Sequence, residues 1–269
     1  MAARVQLVTT ALGLAAAATL LGPAAGCGQF GFTTQSGQDP GTADARAGAD
    51  GGAGAADAAL IDAPFQPGVD AGVAGPCLPG EVSGPLSWDF GAGMPAWATT
   101  YIPGNGQGGQ VSVVAGALEL GPVAGATPPA YWGVNQGGTT YDLRGRRIAV
   151  EIASTVQGPS TQTLVQITPS QDVWAQMFES EGQLALELTP SPALYLTYDP
   201  TSMRWWQMRE SAGVLHFEVS PNGRTWTEVR RVSTPAWYGA ASIELAAGYH
   251  EASTPSGVSR YDNLRMCGP

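Results

Sequence analysis

The chain has 269 residues and a formal net charge of −10, with 12 basic residues against 22 acidic ones. Every basic residue other than the two histidines is arginine; lysine does not occur. An acidic balance of this size excludes backbone-directed nucleic-acid binding, which needs a concentrated positive surface, and gives no electrostatic attraction to anionic lipid headgroups.

In chain order, Arg4 makes a short basic start, Val5–Leu21 is mostly apolar and rich in Ala and Leu, and Ala24-Ala25-Gly26-Cys27 follows. This resembles a bacterial lipoprotein signal with its lipobox. The resemblance implies that residues 1–27 are a signal peptide and that Cys27 is the lipidated N-terminus. Such a chain is exported and anchored in the cell envelope, at the outer membrane or cell surface. Several acyl chains anchor stably where one does not. Ordinary secretion with Cys27 as a free thiol, or an uncleaved membrane anchor, are the other readings of the segment. Residues 28–76 are almost entirely Gly, Ala, Asp, Pro, Gln, Ser and Thr, with six Asp. They cannot bury enough apolar area to offset their ordering entropy and read as a disordered linker.

Residues 77–269 carry the pattern of one all-β domain, long enough for a two-layer core. Leu86, Trp88 and Phe90 alternate, and Gly104–Gly109 is a loop with no helix or Lys-Ser/Thr after it to make a phosphate cradle. Apolar alternation then marks strands at Leu118/Leu120, Ile148/Val150/Ile152 and Val165/Ile167. It continues through Val173–Glu179, Leu184–Leu188 and Leu194–Tyr198, and resumes at Ile243/Leu245 and Leu264/Met266. Between them Tyr198–Arg231 reads as a three-strand meander. Trp206 and Met208 share one face with Leu215, Phe217 and Val219, and Trp205, Gln207 and Arg209 share the other with His216 and Glu218. Ser211-Ala212-Gly213 and Ser220-Pro221-Asn222-Gly223 are its turns, and Trp226 with Val229 is expected to anchor the third strand in the core. The sum is about a dozen strands, enough for two packed antiparallel sheets.

The order Arg204-Trp205-Trp206-Gln207-Met208-Arg209, Gly hairpin, strand ending Ser220-Pro221, Asn222-Gly223, Thr225-Trp226-Thr227 resembles the concanavalin A-like lectin/glucanase superfamily. It is closest to the small, mostly uncharacterised extracellular domains of that group. Trp88-Asp89-Phe90…Pro95-Ala96-Trp97 is similar to their first strand, and Ala247-Gly248-Tyr249…Tyr261-Asp262-Asn263-Leu264-Arg265 to their last two. The resemblance covers roughly residues 85–266 and implies a two-sheet jelly-roll β-sandwich. With Cys27 assigned to lipid, Cys77 and Cys267 are left to pair at the two ends of the domain, where a jelly roll brings first and last strands together; the alternative is two free thiols.

For chemistry, neither His216 nor His250 stands in a nucleophile motif, and Ser220 before Pro221 is a turn residue rather than a nucleophile elbow. Glycosidases of this fold place two Glu and an Asp at alternating positions of one strand. Glu179-Ser180-Glu181 has the spacing without that Asp pattern and runs into Gly182. No zinc spacing or calcium loop occurs. The resemblance implies at most a structural calcium near the termini, toward which Asp89 or Asp262 would contribute; a hydrogen-bonded turn carboxylate is the plainer reading. The face of Trp205, Gln207, Arg209, His216 and Glu218 sets a flat aromatic beside hydrogen-bonding groups, which suits a sugar ring, unless a loop covers Trp205. Trp132 and Trp174 are weaker candidates for the same role. The expectation is a non-catalytic binding module for a glycan or cell-surface polymer. A hydrolase of modified disaccharides or polysaccharides, and a structural envelope protein contacting other proteins, are the alternatives.

Overall fold

Glycine sets the tightest corners. Ala115–Gly116 (φ 48°, 79°), Glu181–Gly182 (52°, 75°) and Ala212–Gly213 (51°, 81°) each place two consecutive residues at positive φ. That is the two-residue turn whose twist matches antiparallel strands, so each pair closes a hairpin. The computed structural model describes residues 77–103, 108–170 and 172–269. The signal segment, Cys27 and the linker 28–76 lie outside the described residues, as do positions 104–107 of the glycine loop.

The strands, in chain order, begin with β1 (Val82–Ser83), β2 (Thr99–Tyr101), β3 (Gln110–Val114), β4 (Ala117–Gly121) and β5 (Ala130–Asn135). The middle of the chain forms β6 (Arg147–Ser154), β7 (Thr161–Ser170), β8 (Val173–Ser180), β9 (Gln183–Leu188) and β10 (Ser191–Thr197). The last five are β11 (Trp205–Ser211), β12 (Val214–Ser220), β13 (Thr227–Ser233), β14 (Ser242–Tyr249) and β15 (Ser259–Gly268), with one 3-10 turn at Ala236–Gly239. They form two antiparallel sheets. One runs β13-β12-β11-β6-β15-β4-β3 with β1 added to β15, and the other β10-β9-β8-β7-β14-β5-β2. The expected all-β two-sheet sandwich is therefore the observed architecture.

One continuous core fills the space between the sheets. From the eight-stranded sheet it takes Leu118, Leu120, Ile148, Val150, Trp206, Met208, Leu215, Phe217 and Tyr261, and from the seven-stranded sheet Val165, Ile167, Met177, Leu184, Leu186, Ile243 and Leu245. The Tyr261 hydroxyl reaches across the layers, accepting from the Leu164 amide at 3.1 Å and donating to the Ala246 carbonyl at 2.6 Å. Cys77 and Cys267 are joined by a disulfide across a sequence separation of 190, which closes nearly the whole described chain.

Two expectations of local structure are corrected. Leu86–Phe90 is not a strand: Trp88 makes only an isolated bridge to Leu264, and Phe90 turns at φ 59°. The alternation is real, because Leu86 and Phe90 are fully buried, but an irregular segment docks them. Trp226 does not enter the core; it precedes β13 and stays half-buried, while Val229 and Val232 pack against the core instead.

Candidate functional site

The meander face does assemble. Trp205 pairs opposite Ser220 and Glu151, Gln207 opposite Glu218 and Ala149, and Arg209 opposite His216 and Arg147, all on the outer side of the eight-stranded sheet. The sugar-stacking role of Trp205 is overturned: it is only 5% exposed. The Ser220–Thr225 turn folds over its ring so closely that a Cβ on Gly223 would lie 2.8 Å from it. Ser220 Oγ accepts from the Asn222 and Gly223 amides, and Asn222 Oδ1 accepts from Arg224 and Thr225, which holds the turn in that position.

The polar members of the face satisfy one another. The Arg209 guanidinium binds Glu218 through Nε (3.1 Å) and Nη2 (2.7 Å), and Gln207 Nε2 donates to the same carboxylate. That hydrogen bonding raises the proton affinity of Arg209. His216 Nδ1 meets Glu228 at 2.5 Å and holds the Glu228 carboxyl below its usual range. Glu151 takes Arg204, Glu119 takes Arg260 and Glu81 takes Arg147. The five residues are brought together as a closed ion-pair lattice with its aromatic roofed over.

The seven-stranded sheet presents a different outer face. Alternation puts Val165, Met177, Leu186, Leu245 and Val134 in the core, so their neighbours point outward. Register aligns one outward row as Glu187, Gln176, Gln166 and Glu244, and the next as Ala185, Phe178, Leu164, Ala246, Gly133 and Tyr101. A third row brings Gln162, Gly248 and Tyr131. Leu164, Phe178, Ala185 and Ala246 form a separate buried cluster with Tyr101 and Tyr131 packed against it. Trp174 lies outward one position beyond Gln176 and is half-buried.

Two glycines explain how the tyrosines lie. Tyr101 stands directly opposite Gly133, and Tyr131 directly opposite Gly248. A Cβ on Gly133 would sit 2.5 Å from Tyr101 Oη, and one on Gly248 would sit 2.6 Å from Tyr131 Cδ1. Each phenol therefore crosses its neighbour strand where no side chain stands. Each also hydrogen-bonds one strand further on: Tyr101 Oη to Glu244, and Tyr131 Oη to Gln162 Oε1 at 2.5 Å. Burial, with Glu244 adding to it, raises the pKa of both phenols, so both stay protonated donors. The result is a pair of tyrosine rings laid across the sheet in the same sense, pinned at their hydroxyls.

Around them the face is polar and close-set. Gln162, Gln166 and Gln176 are each less than a twentieth exposed. Gln176 Nε2 donates to Glu187 at 2.6 Å. Burial raises the Glu244 pKa, partly offset by the Tyr101 hydrogen bond. Glu187 and Glu244 stand three strands apart, about 14 Å at the ordinary strand spacing, far beyond the roughly 5–9.5 Å of a glycosidase pair. Glu179 faces the core and accepts from the Gly182 amide, and Glu181 accepts from Ser160 at the turn. Those two do not converge on one cleft.

A concavity of about 690 Å³ opens beside the disulfide, away from the tyrosine face, bounded by Glu81, Trp88, Asp89, Asp262, Asn263 and Arg265. Burial, with Glu151 and Asp89 nearby, lifts Asp262 to about 6. Asp89 caps the Gly91 amide at 3.0 Å as a hydrogen-bonded turn carboxylate, whereas Asp262 accepts from the Asn263 amide at 2.6 Å at a bulge within β15 rather than in a turn. Among the described residues, the groups of three with ligating atoms close together are Cys77–Glu81–Cys267, whose sulfurs are in the disulfide, and His216–Glu218–Glu228, whose Glu218 is held by Arg209. Neither fits a cation well.

Tyr101 and Tyr131 were not among the residues singled out from sequence. β5 reads Ala-Tyr-Trp-Gly-Val-Asn, and its central glycine breaks the alternation that marks a strand. The available signal was a tyrosine two residues before that glycine, in a run ending in a polar residue.

No protein-family model matches the chain, and no curated protein matches it. Among solved structures it is similar to a functionally unknown protein from Saccharomyces cerevisiae at 16% identity and TM-score 0.42, covering 65% of this chain and 97% of that one. It is similar to an endo-acting O-glycanase of the human gut microbiota at 12% identity and TM-score 0.48, covering 65% and 92%. The VIP36 exoplasmic/lumenal domain in its calcium-bound form gives 9% identity and TM-score 0.44, covering 65% and 84%.

Proposed function

We propose that the chain is a non-catalytic binding module of concanavalin A-like type. It is exported, lipid-anchored through Cys27 and held off the membrane by the linker 28–76, and it recognises a carbohydrate or carbohydrate-bearing envelope polymer. The export signal and lipobox in the sequence support the address. The observation that carries the binding reading is the Tyr101/Tyr131 pair laid over Gly133 and Gly248. A pyranose offers an apolar C–H face ringed by hydroxyls, and aromatic rings flanked by amide and carboxylate groups complement both. The buried amides of Gln162 and Gln176 hold the Tyr131 hydroxyl and the Glu187 carboxylate in position beneath that surface. The wide separation of Glu187 and Glu244 favours binding over hydrolysis.

Affinity electrophoresis of the full chain against a panel of soluble polysaccharides tests this. At least one polymer is expected to retard it, and Tyr131→Ala or Tyr101→Ala to weaken that retention at least tenfold. Trp205→Phe, on the roofed face, is expected to leave retention unchanged. Retention by none of the polymers, or folded Tyr→Ala variants that bind like the parent, would overturn the reading.

A further inference from the structure

The two sheets differ in how their charge is balanced. Of the twelve arginines, Arg4 and Arg46 lie outside the described residues. Six of the remaining ten stand in β6, β11, β13 and β15, and the other four in the connections before β6, before β11 and between β12 and β13. No strand of the seven-stranded sheet contains a basic residue. His250 follows β14 at a turn, and Arg230 approaches from β13 between the layers, where it donates to the Leu186 carbonyl.

On the eight-stranded sheet, Glu119, Glu151, Glu218 and Glu228 each have an arginine partner. On the seven-stranded face the two outward carboxylates accept hydrogen bonds from neutral groups: the Gln176 amide for Glu187 and the Tyr101 phenol for Glu244. Glu187 has the Arg230 guanidinium close enough to interact with it, whereas Glu244, beside the tyrosines, is paired with a neutral phenol while the carboxylates of the other face are held in ion pairs.

We infer that this face selects glycans bearing a free amino group, as in unacetylated amino sugars, over neutral ones and rejects uronic-acid or sulfated polymers, with Glu244 as the selecting residue. The inference rests on the glycan-binding reading above. Half-buried Glu244 accepts from the Tyr101 hydroxyl, so an ammonium bound at that carboxylate lies at the end of the phenol that carries the sugar-stacking reading. Burial of an unpaired carboxylate is a cost in the free protein, and an incoming cation offsets that cost where a hydroxyl offsets little. A ligand carboxylate or sulfate would meet like charge with no arginine to receive it.

Calorimetric titration of the full chain with four hexasaccharides, built of glucosamine, N-acetylglucosamine, glucose and galacturonic acid, reads the preference. At about 0.15 M salt, which screens long-range attraction to the acidic chain, the glucosamine hexamer is expected to bind about five- to tenfold tighter than the glucose hexamer. The galacturonate hexamer is expected to bind least. Glu244→Gln should bring glucosamine and glucose to near parity, while Glu228→Gln, which removes the same charge from the opposite sheet, should not. Should Glu244→Gln melt early, Glu244→Met, which keeps the length of the side chain without its charge, gives the same readout. Parity in the parent, a preference that survives both substitutions, or equal loss on Glu228→Gln would overturn the inference and leave glycan binding standing. Binding of none of the four would overturn both.

Discussion

Gly133 and Gly248 decide what the outer face of the seven-stranded sheet can offer. In strand interiors a glycine costs backbone entropy and packs nothing, yet here each makes the one gap through which a tyrosine can cross. At Gly133 an added methyl would also meet the Leu245 carbonyl at 2.6 Å, and at Gly248 the Ala130 carbonyl at 2.1 Å, so the backbone has no room to yield. Gly133→Ala is therefore expected to destabilise the fold by about 1–3 kcal/mol through overpacking, read from urea midpoints, and to weaken glycan retention by displacing Tyr101. Tyr131→Phe is a milder probe. It keeps the ring and removes the hydroxyl bonded to Gln162, a loss of about 1 kcal/mol in stability with retention largely kept. If Tyr131→Phe abolished retention as fully as Tyr131→Ala, the hydroxyl rather than the ring would be the recognition element.

At the scale of strands and turns, the β11–β12 hairpin was legible from sequence because every local cue agrees. Alternation assigns Trp206, Met208, Leu215, Phe217 and Val219 inward, and the Ala212–Gly213 and Asn222–Gly223 turns sit where the residues require. The fate of Trp205 was not legible, because alternation reports which side a residue faces and not whether a turn ten or more residues later folds over it. Trp205→Ala should accordingly behave as a core truncation, costing roughly 3–5 kcal/mol, with ligand affinity in the folded fraction unchanged. The β15 bulge around Asn263, at φ 51°, turns Asp262 toward Asp89 in the cleft beside the disulfide. Asp262 rises from the usual 3.8 to about 6 there. Between those values the folded chain binds more proton than the unfolded one, so this group's contribution is fully present below about pH 4 and is lost as pH rises through 6. Asp262→Asn is expected to flatten that part of the melting-temperature profile between pH 4 and 7; an unchanged slope would remove Asp262 as its source.

For the molecule as a whole, composition and periodicity were enough to find a two-sheet sandwich, because a period of two survives most substitutions. Strands β2, β3 and β5 escaped for physical reasons: they are short or interrupted by glycine, and β2 is an exposed edge. The candidate site sat in those gaps. Which face is charged and which aromatic was written in the placement of arginine, but only sheet membership reveals it, since β6, β11, β13 and β15 are scattered along the chain. The Cys77–Cys267 bridge ties the ends together across 190 residues. On the chain-entropy account its removal costs about 5 kcal/mol, so the Cys77→Ser/Cys267→Ser double substitution should lower the urea midpoint sharply. Equal midpoints would mean the bridge adds nothing in solution.

Side-chain amide resonances locate the ligand most directly, because glutamines lie on both outer faces. When the protein is titrated with the glucosamine hexamer and those signals are followed by NMR, Gln162, Gln166 and Gln176 beneath the tyrosine face are expected to shift while Gln207, beneath the ion-pair lattice, stays still. Shifts confined to Gln207, with the three glutamines of the seven-stranded sheet unmoved, would contradict it.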